Sequence, residues 1–179
     1  MHSIEDGIVF SLSKSWNPAA LTFFVLIYIG VYPFTLWFTP FYAIVNNNKK
    51  ALKTLSYGLA LIYAIVLPFY LFFPVSNVYT YFSLNSSLES ILPGVNHFFY
   101  STTTTNNCFP SLHVAVALLI ARSAKFTENK KYIYFTSFIA IAVIISVMYL
   151  VIHWITDVIF GIIISSVVFM VISHVIKDD

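Results

Sequence analysis

Residues 132–175 read YIYFTSFIAIAVIISVMYLVIHWITDVIFGIIISSVVFMVISHV, and between Lys131 and Lys177 the only Asp, Glu, Lys or Arg is Asp157. A run this apolar accommodates two membrane crossings of roughly 20 residues each, divided by a tight turn near residues 151–154. The pattern recurs upstream, with no charged side chain between Lys14 and Lys49 or between Lys53 and Glu89. Over its 179 residues the chain is 59% hydrophobic and only 9% charged, with a mean hydropathy of +0.86. That leaves too little charge to cover a water-soluble surface, so lipid must solvate most of it.

Spans are expected at about 19–44, 51–75, 110–125, 132–151 and 153–175. The expected fold is all-α, a polytopic membrane helix bundle with about five transmembrane helices forming one domain over residues 1–179. Residues 1–18 read as an interfacial N-terminal segment ending in Lys14 and Trp16, and residues 76–109 as an outer loop. Pro33, Pro40 and Pro68 interrupt apolar runs and predict kinks. The first run is too long for a cleavable signal and follows the acidic pair Glu5 and Asp6, so it is expected to remain. In the loop, Ser86 and Glu89 have capping-box spacing and Pro93-Gly94 is a stop, which predicts a short helix at about 87–92.

Lys49, Lys50, Lys53, Arg122, Lys125, Lys130, Lys131 and Lys177 fall on one side of a five-span topology, and Lys14 is the only cation on the other. The positive-inside rule then places the C-terminus in the cytoplasm and the long loop on the extracellular side of the cell membrane. A net charge of +2 gives no reason to expect nucleic acid. The single cysteine, Cys108, excludes an intramolecular disulfide.

Ionisable residues within spans are costly and so mark candidate chemistry. His153 and Asp157 stand four residues apart, a spacing that puts both on one helical face. The carboxylate can hold the Nδ1 proton and leave Nε2 free as a nucleophile or base. A buried pair that only fixes packing is the alternative. In the segment Asn106-Asn107-Cys108-Phe109-Pro110-Ser111-Leu112-His113, Pro110 predicts a helix start whose free amides form an anion site. Ser111 is then a hydrogen-bond donor to the anion, and His113 a proton donor to a leaving group. Together the two clusters fit phosphoryl transfer. The rival is a metal held by His113, His153 and Asp157, a set with no evident second shell.

Phe109-Pro110-Ser111-Leu112-His113 resembles the second motif, Pro-Ser-Gly-His, of the type 2 phosphatidic acid phosphatase superfamily, with leucine for glycine as in the inositol-phosphoceramide synthase branch. The stretch from Ser146 to Asp157, with Gly161 beyond it, resembles the third motif. The resemblance covers residues 106–175 and implies His153 as nucleophile, Asp157 as its partner, His113 as general acid and Ser111 as a phosphate contact. It also implies no metal and no cofactor.

Two departures stand out. Val147 occupies the third motif's arginine position, and the first motif's lysine and Arg-Pro have no counterpart near Phe72-Phe73-Pro74-Val75-Ser76-Asn77. An oxyanion donor contributes about 3 kcal/mol to a barrier, so three missing cations require replacements. Lys14 is expected to fold over the site, with protonated His113 and His97 as the other cations on this face, Asn77 and Asn107 as neutral substrate contacts, and Ser76 and Asn106 as further neutral donors. Headgroup anchoring is the alternative role for Lys14. His2, His97 and His174 read as surface residues, and Tyr149 and Trp154 as aromatic-belt residues.

The expected partners are the bilayer and a lipid phosphate. The expected activity is hydrolysis of a lipid phosphate or diphosphate, polyprenyl or phosphatidate-like, through a phosphohistidine. A lipid head-group phosphotransferase and a non-catalytic lipid-phosphate-binding or scaffold protein are the alternatives.

Overall fold

The computed structural model describes residues 5, 7, 9, 11, 16–84, 86–92, 94 and 106–176. Its helices in chain order are α1 (Pro18–Val45), α2 (Lys49–Phe72), α3 (Val78–Tyr81), α4 (Ser87–Ile91), α5 (Leu112–Ala124), α6 (Lys130–Tyr149) and α7 (Ile155–Val175). Residues 5, 7, 9 and 11 are also helical. Asparagines start three of the four long helices: Asn17, Asn48 and Asn129 accept from Ala19, Ala51 and Tyr132 amides at 2.9, 2.9 and 3.2 Å. Each satisfies an amide that the helix leaves unpaired.

Four helices, α1, α2, α6 and α7, are long and apolar enough to cross a membrane. The remaining expected crossing, at 110–125, is made differently. Helix α5 has 13 residues, about 20 Å of rise against a hydrocarbon core of about 30 Å. It starts two residues after Pro110, with Ser111 as its N-cap. Yet the segment reaches both ends of α2. Beyond the C-terminus of α2, the Val75 amide donates to Asn106 O at 2.9 Å and the Cys108 amide to Val75 O at 3.1 Å. At the start of α2, the Asn48 side-chain amide donates to Phe126 O. The non-helical residues 106–111 and the 3₁₀ turn Lys125–Thr127 therefore supply the depth that α5 lacks.

The prolines act locally. Pro33 follows a π-helical stretch, Ile27–Val31, in which the wider turn accommodates the missing donor. Pro40 and Pro68 lie inside helices that continue past them.

The bundle buries small polar groups and turns large apolar ones outward. Thr39, Thr136 and Ser146 are buried and donate back to carbonyls four residues earlier, at 2.6, 3.0 and 2.6 Å. Trp37, Phe72, Tyr134 and Met170 are exposed. That surface suits lipid, and the internal hydroxyl bonds suit an interior without water. The centre is α5, packed against α2, α6 and α7, with Val114, Ala115, Leu119 and Ala124 wholly buried.

Glycine sets two close approaches. A Cβ on Gly161 would lie 2.7 Å from Ser111 O and 3.2 Å from Val114 Cβ, so α7 meets the start of α5 almost backbone to backbone. A Cβ on Gly58 would meet only the terminal atoms of Leu119, at 2.6 and 2.8 Å. Side-chain tips can move and a hydrogen-bonded backbone cannot. Gly161→Ala should therefore lower stability by about 1–3 kcal/mol. Thermal unfolding in detergent should show a larger drop for it than for Gly58→Ala, and equal drops would contradict the backbone contact.

Candidate active site

Helices α5 and α7 run parallel, and their N-termini meet. The Ser111 amide donates to Asp157 O at 3.0 Å, which joins the cap of α5 to the first turn of α7. The chain enters α7 through a tight turn in which Val151 adopts φ 58°. A β-branched residue in the left-handed region costs about 1–3 kcal/mol, so its surroundings must enforce the turn. They do so through Val147 O, which accepts from the Ile152 and His153 amides at 3.1 and 3.2 Å.

His153 and Asp157 meet, though not as two residues on one helical face. His153 precedes the N-cap Trp154, and Asp157 is the third residue of α7. Asp157 Oδ2 accepts from the Trp154 amide at 2.9 Å and lies 3.3 Å from His153 Nδ1. The helix end fixes the carboxylate, and the carboxylate fixes the ring. When Nδ1–H donates to the Asp157 carboxylate, His153 Nε2 carries the lone pair.

His113, one residue into α5, brings its ring to 5.8 Å from that of His153, the two planes inclined at 61°. Tyr28 lies in the π-helical stretch of α1, with its hydroxyl 3.1 Å from His113 Nε2. His113 Nδ1 and Ser111 Oγ are buried with no protein hydrogen-bond partner. Unpaired polar atoms are costly, and a ligand that receives their hydrogen bonds offsets that cost. The Tyr70 hydroxyl donates to Pro110 O at 2.9 Å and steadies the segment between them.

Cys108 adds a third group beside His153. Its Sγ lies 3.2 Å from His153 Nδ1 and 3.3 Å from Ile152 O, to which the thiol donates. Among the described residues, the His/Cys/Asp/Glu set brought within ligand distance is Cys108, His153 and Asp157, without His113.

The N-terminal segment also reaches this end. Glu5 Oε2 accepts from the Ile155 amide at 2.8 Å and the Thr156 amide at 3.4 Å, and Glu5 Oε1 accepts from the Thr156 hydroxyl. Val9 is buried with Val78, Cys108, Val151 and Trp154. Glu5 and Val9 thus pack into the protein. Glu5 and Asp157 also line a cavity of about 270 Å³ whose other walls include Phe69, Phe73, Phe109 and Trp154.

A model of the PAP2 superfamily matches residues 79–179. The chain belongs to the PAP2 superfamily. The crystal structure of Aquifex aeolicus LpxE shares the fold, with a TM-score of 0.66 and 16% sequence identity over 96% of this chain and 95% of that one. No curated protein sequence matches. This PAP2 chain is a multi-pass membrane protein of a lipid-phosphatase family.

The PAP2 arginine position held by Val147 is part of the core here, with no exposed surface. Every described Lys or Arg lies in residues 49–53 or 122–131, around the turns at the far end of α5. Lys14, His97 and His2 lie outside the described residues. Asn77 is engaged as the cap of α3, accepting from the Thr80 amide at 2.9 Å. Asn107 pairs through its backbone with Val75, bridging the end of α2 to the site segment. His174 is exposed. Trp154 is not a belt residue: it is 1% exposed, donates to Ser76 O at 3.0 Å and packs edge-on against Tyr81. Tyr149 is half-buried and anchors the start of α1, its carbonyl accepting from Trp16 Nε1 at 2.9 Å and its hydroxyl from the Asn17 amide at 3.0 Å.

Cys108, Tyr28 and Glu5 escaped the sequence reading. Cys108 lay within a quoted motif but had no partner at a telling spacing, and Tyr28 and Glu5 act across the bundle. Glu5 should contribute about 1 kcal/mol by capping the start of α7. Glu5→Ala is expected to lower the thermal midpoint while Glu5→Gln restores part of it. An unchanged midpoint for Glu5→Ala would show that the contact carries no stability.

Proposed function

We propose that this PAP2 protein hydrolyses lipid phosphates or diphosphates through a phosphohistidine on His153. The observation that carries the reading is the convergence of the His113 and His153 rings at 5.8 Å, with Asp157 on the far nitrogen of His153. His153 Nε2 attacks phosphorus while Asp157 stabilises the imidazolium that forms. His113 gives a proton to the departing oxygen, then takes one from the water that resolves the intermediate. Ser111 Oγ, buried and without a protein partner, donates to a phosphoryl oxygen. No step calls on a metal or cofactor.

The cavity supports a lipid substrate. Its phenylalanines suit an acyl or prenyl tail, and Asp157, the partner of His153, lies among them in the lining. Positive charge is the scarce element, since Glu5 and Asp157 both line that wall. Lys14 supplies it in this reading: Glu5, Val9 and Trp16, on either side of it in sequence, pack at the site end. The described cations cluster at the opposite end, which by the positive-inside rule supports an extracellular site in this reading. Polyprenyl diphosphates and phosphatidate-like lipids are the substrate classes. Leu112 and Val147 favour head-group transfer as the second reading, with a lipid hydroxyl replacing water. A silent lipid-phosphate-binding protein gives the Nδ1–Asp157 contact no use.

Phosphate release from short-chain lipid phosphates and diphosphates in proteoliposomes tests the proposal. His153→Ala should lose roughly a thousandfold or more, and His113→Ala about 10²–10⁴-fold. Lys14→Ala should raise KM. No release by folded wild-type protein from any lipid phosphate would reject hydrolysis, and release only with an acceptor alcohol would select transfer.

A further inference from the structure

We propose that Cys108, His153 and Asp157 form a site for a thiophilic divalent cation such as Zn²⁺, and that its occupation silences the enzyme. The inhibitory half rests on the hydrolase reading above, whereas the binding half stands on the geometry alone. Sγ and Oδ2 both converge on His153 Nδ1, at 3.2 and 3.3 Å, and the three donor atoms lie within 4.8 Å of one another. Tetrahedral zinc with ordinary Zn–S, Zn–N and Zn–O bonds sets its ligand atoms about 3.3–3.6 Å apart. Two of the three edges are already within a few tenths of an ångström of that spacing. Nδ1 carries one proton and faces two partners; a cation at their centre would engage all three donors.

The donor set selects the metal. Thiolate with imidazole favours zinc and its soft relatives over magnesium or calcium, which prefer all-oxygen shells. Binding displaces the thiol proton, so affinity rises with pH. One of the three donors, Asp157, lines the cavity together with Glu5, and no Lys or Arg is among its described lining residues, so a cation meets no repulsion there. A water in the cavity can complete the coordination.

The consequence for chemistry follows from the imidazole. A metal takes the Nδ1 lone pair only in the other neutral tautomer, so the ring's single N–H proton, which Nδ1 otherwise donates to Asp157, moves to Nε2. That is the nitrogen whose lone pair attacks phosphorus, so the metal-bound histidine is not a nucleophile.

The chain has one cysteine, which makes the test specific. Tag-free protein in detergent is titrated with Co²⁺, whose thiolate charge-transfer and tetrahedral ligand-field bands report the site without reference to activity. The bands should appear in wild type, disappear on adding Zn²⁺, and be missing from Cys108→Ser and Cys108→Ala. Zn²⁺ should raise the thermal midpoint of wild type and abolish its lipid phosphate hydrolysis, with recovery on chelation. Each Cys108 variant should keep its own metal-free rate in the same Zn²⁺. Folded wild type without a thiolate band would overturn the site. Equal Zn²⁺ inhibition in wild type and the variants would overturn its role. A preparation that shows the bands yet hydrolyses no lipid phosphate would keep the metal site and reject the hydrolase reading.

Discussion

The contact on which the rest depends is the one between the start of α5 and the first turn of α7. The Ser111 amide reaches Asp157 O at 3.0 Å, and the absent side chain of Gly161 lets Ser111 O approach from the other side. A helix start has unpaired amides and a positive dipole end, so two starts side by side repel weakly and concentrate unsatisfied donors. The sequence answers with acceptors. Asp157 takes the Trp154 amide, Glu5 takes those of Ile155 and Thr156, and Asp157 O takes that of Ser111. The same arrangement sets His113 beside His153.

Asp157 therefore has two functions that one residue type satisfies. As a helix-capping carboxylate it holds its place through the backbone, and as the partner of Nδ1 it selects the histidine tautomer. A residue held only by the imidazole would move with it. Here the orienting group is tied to the backbone of α7, so the ring is pre-positioned before any phosphate arrives.

Much of this was legible in the sequence, for identifiable reasons. Uncharged runs gave the long helices because lipid tolerates no alternative to internal hydrogen bonding. The pairing of His153 with Asp157 was legible from spacing, although the geometry that joins them is a helix entry and not a helix face. The short α5 was less legible, because hydropathy cannot distinguish a helix from the non-helical 106–111 segment that completes its depth. Ser86 announced α4, but the stop at its far end includes an interaction that spacing did not foretell, between Glu89 Oε1 and the Gly94 amide at 2.9 Å. Tyr28, Cys108 and Glu5 were illegible as site neighbours because their partners are 45 to 151 residues away. Trp154 reads as an interfacial aromatic and proves to be a buried one, enclosed by Val9, Val78, Cys108 and Tyr81, which lie far from it in sequence.

The central claim is that His153, oriented through Nδ1 by Asp157, forms a bond to phosphorus through Nε2. Rapid quenching of wild-type protein with a ³²P-labelled lipid phosphate, followed by alkaline peptide mapping, measures this directly. The account requires acid-labile label on His153 at Nε2, absent from His153→Ala. Label on His113, on Nδ1 of His153, or persisting in His153→Ala would contradict it.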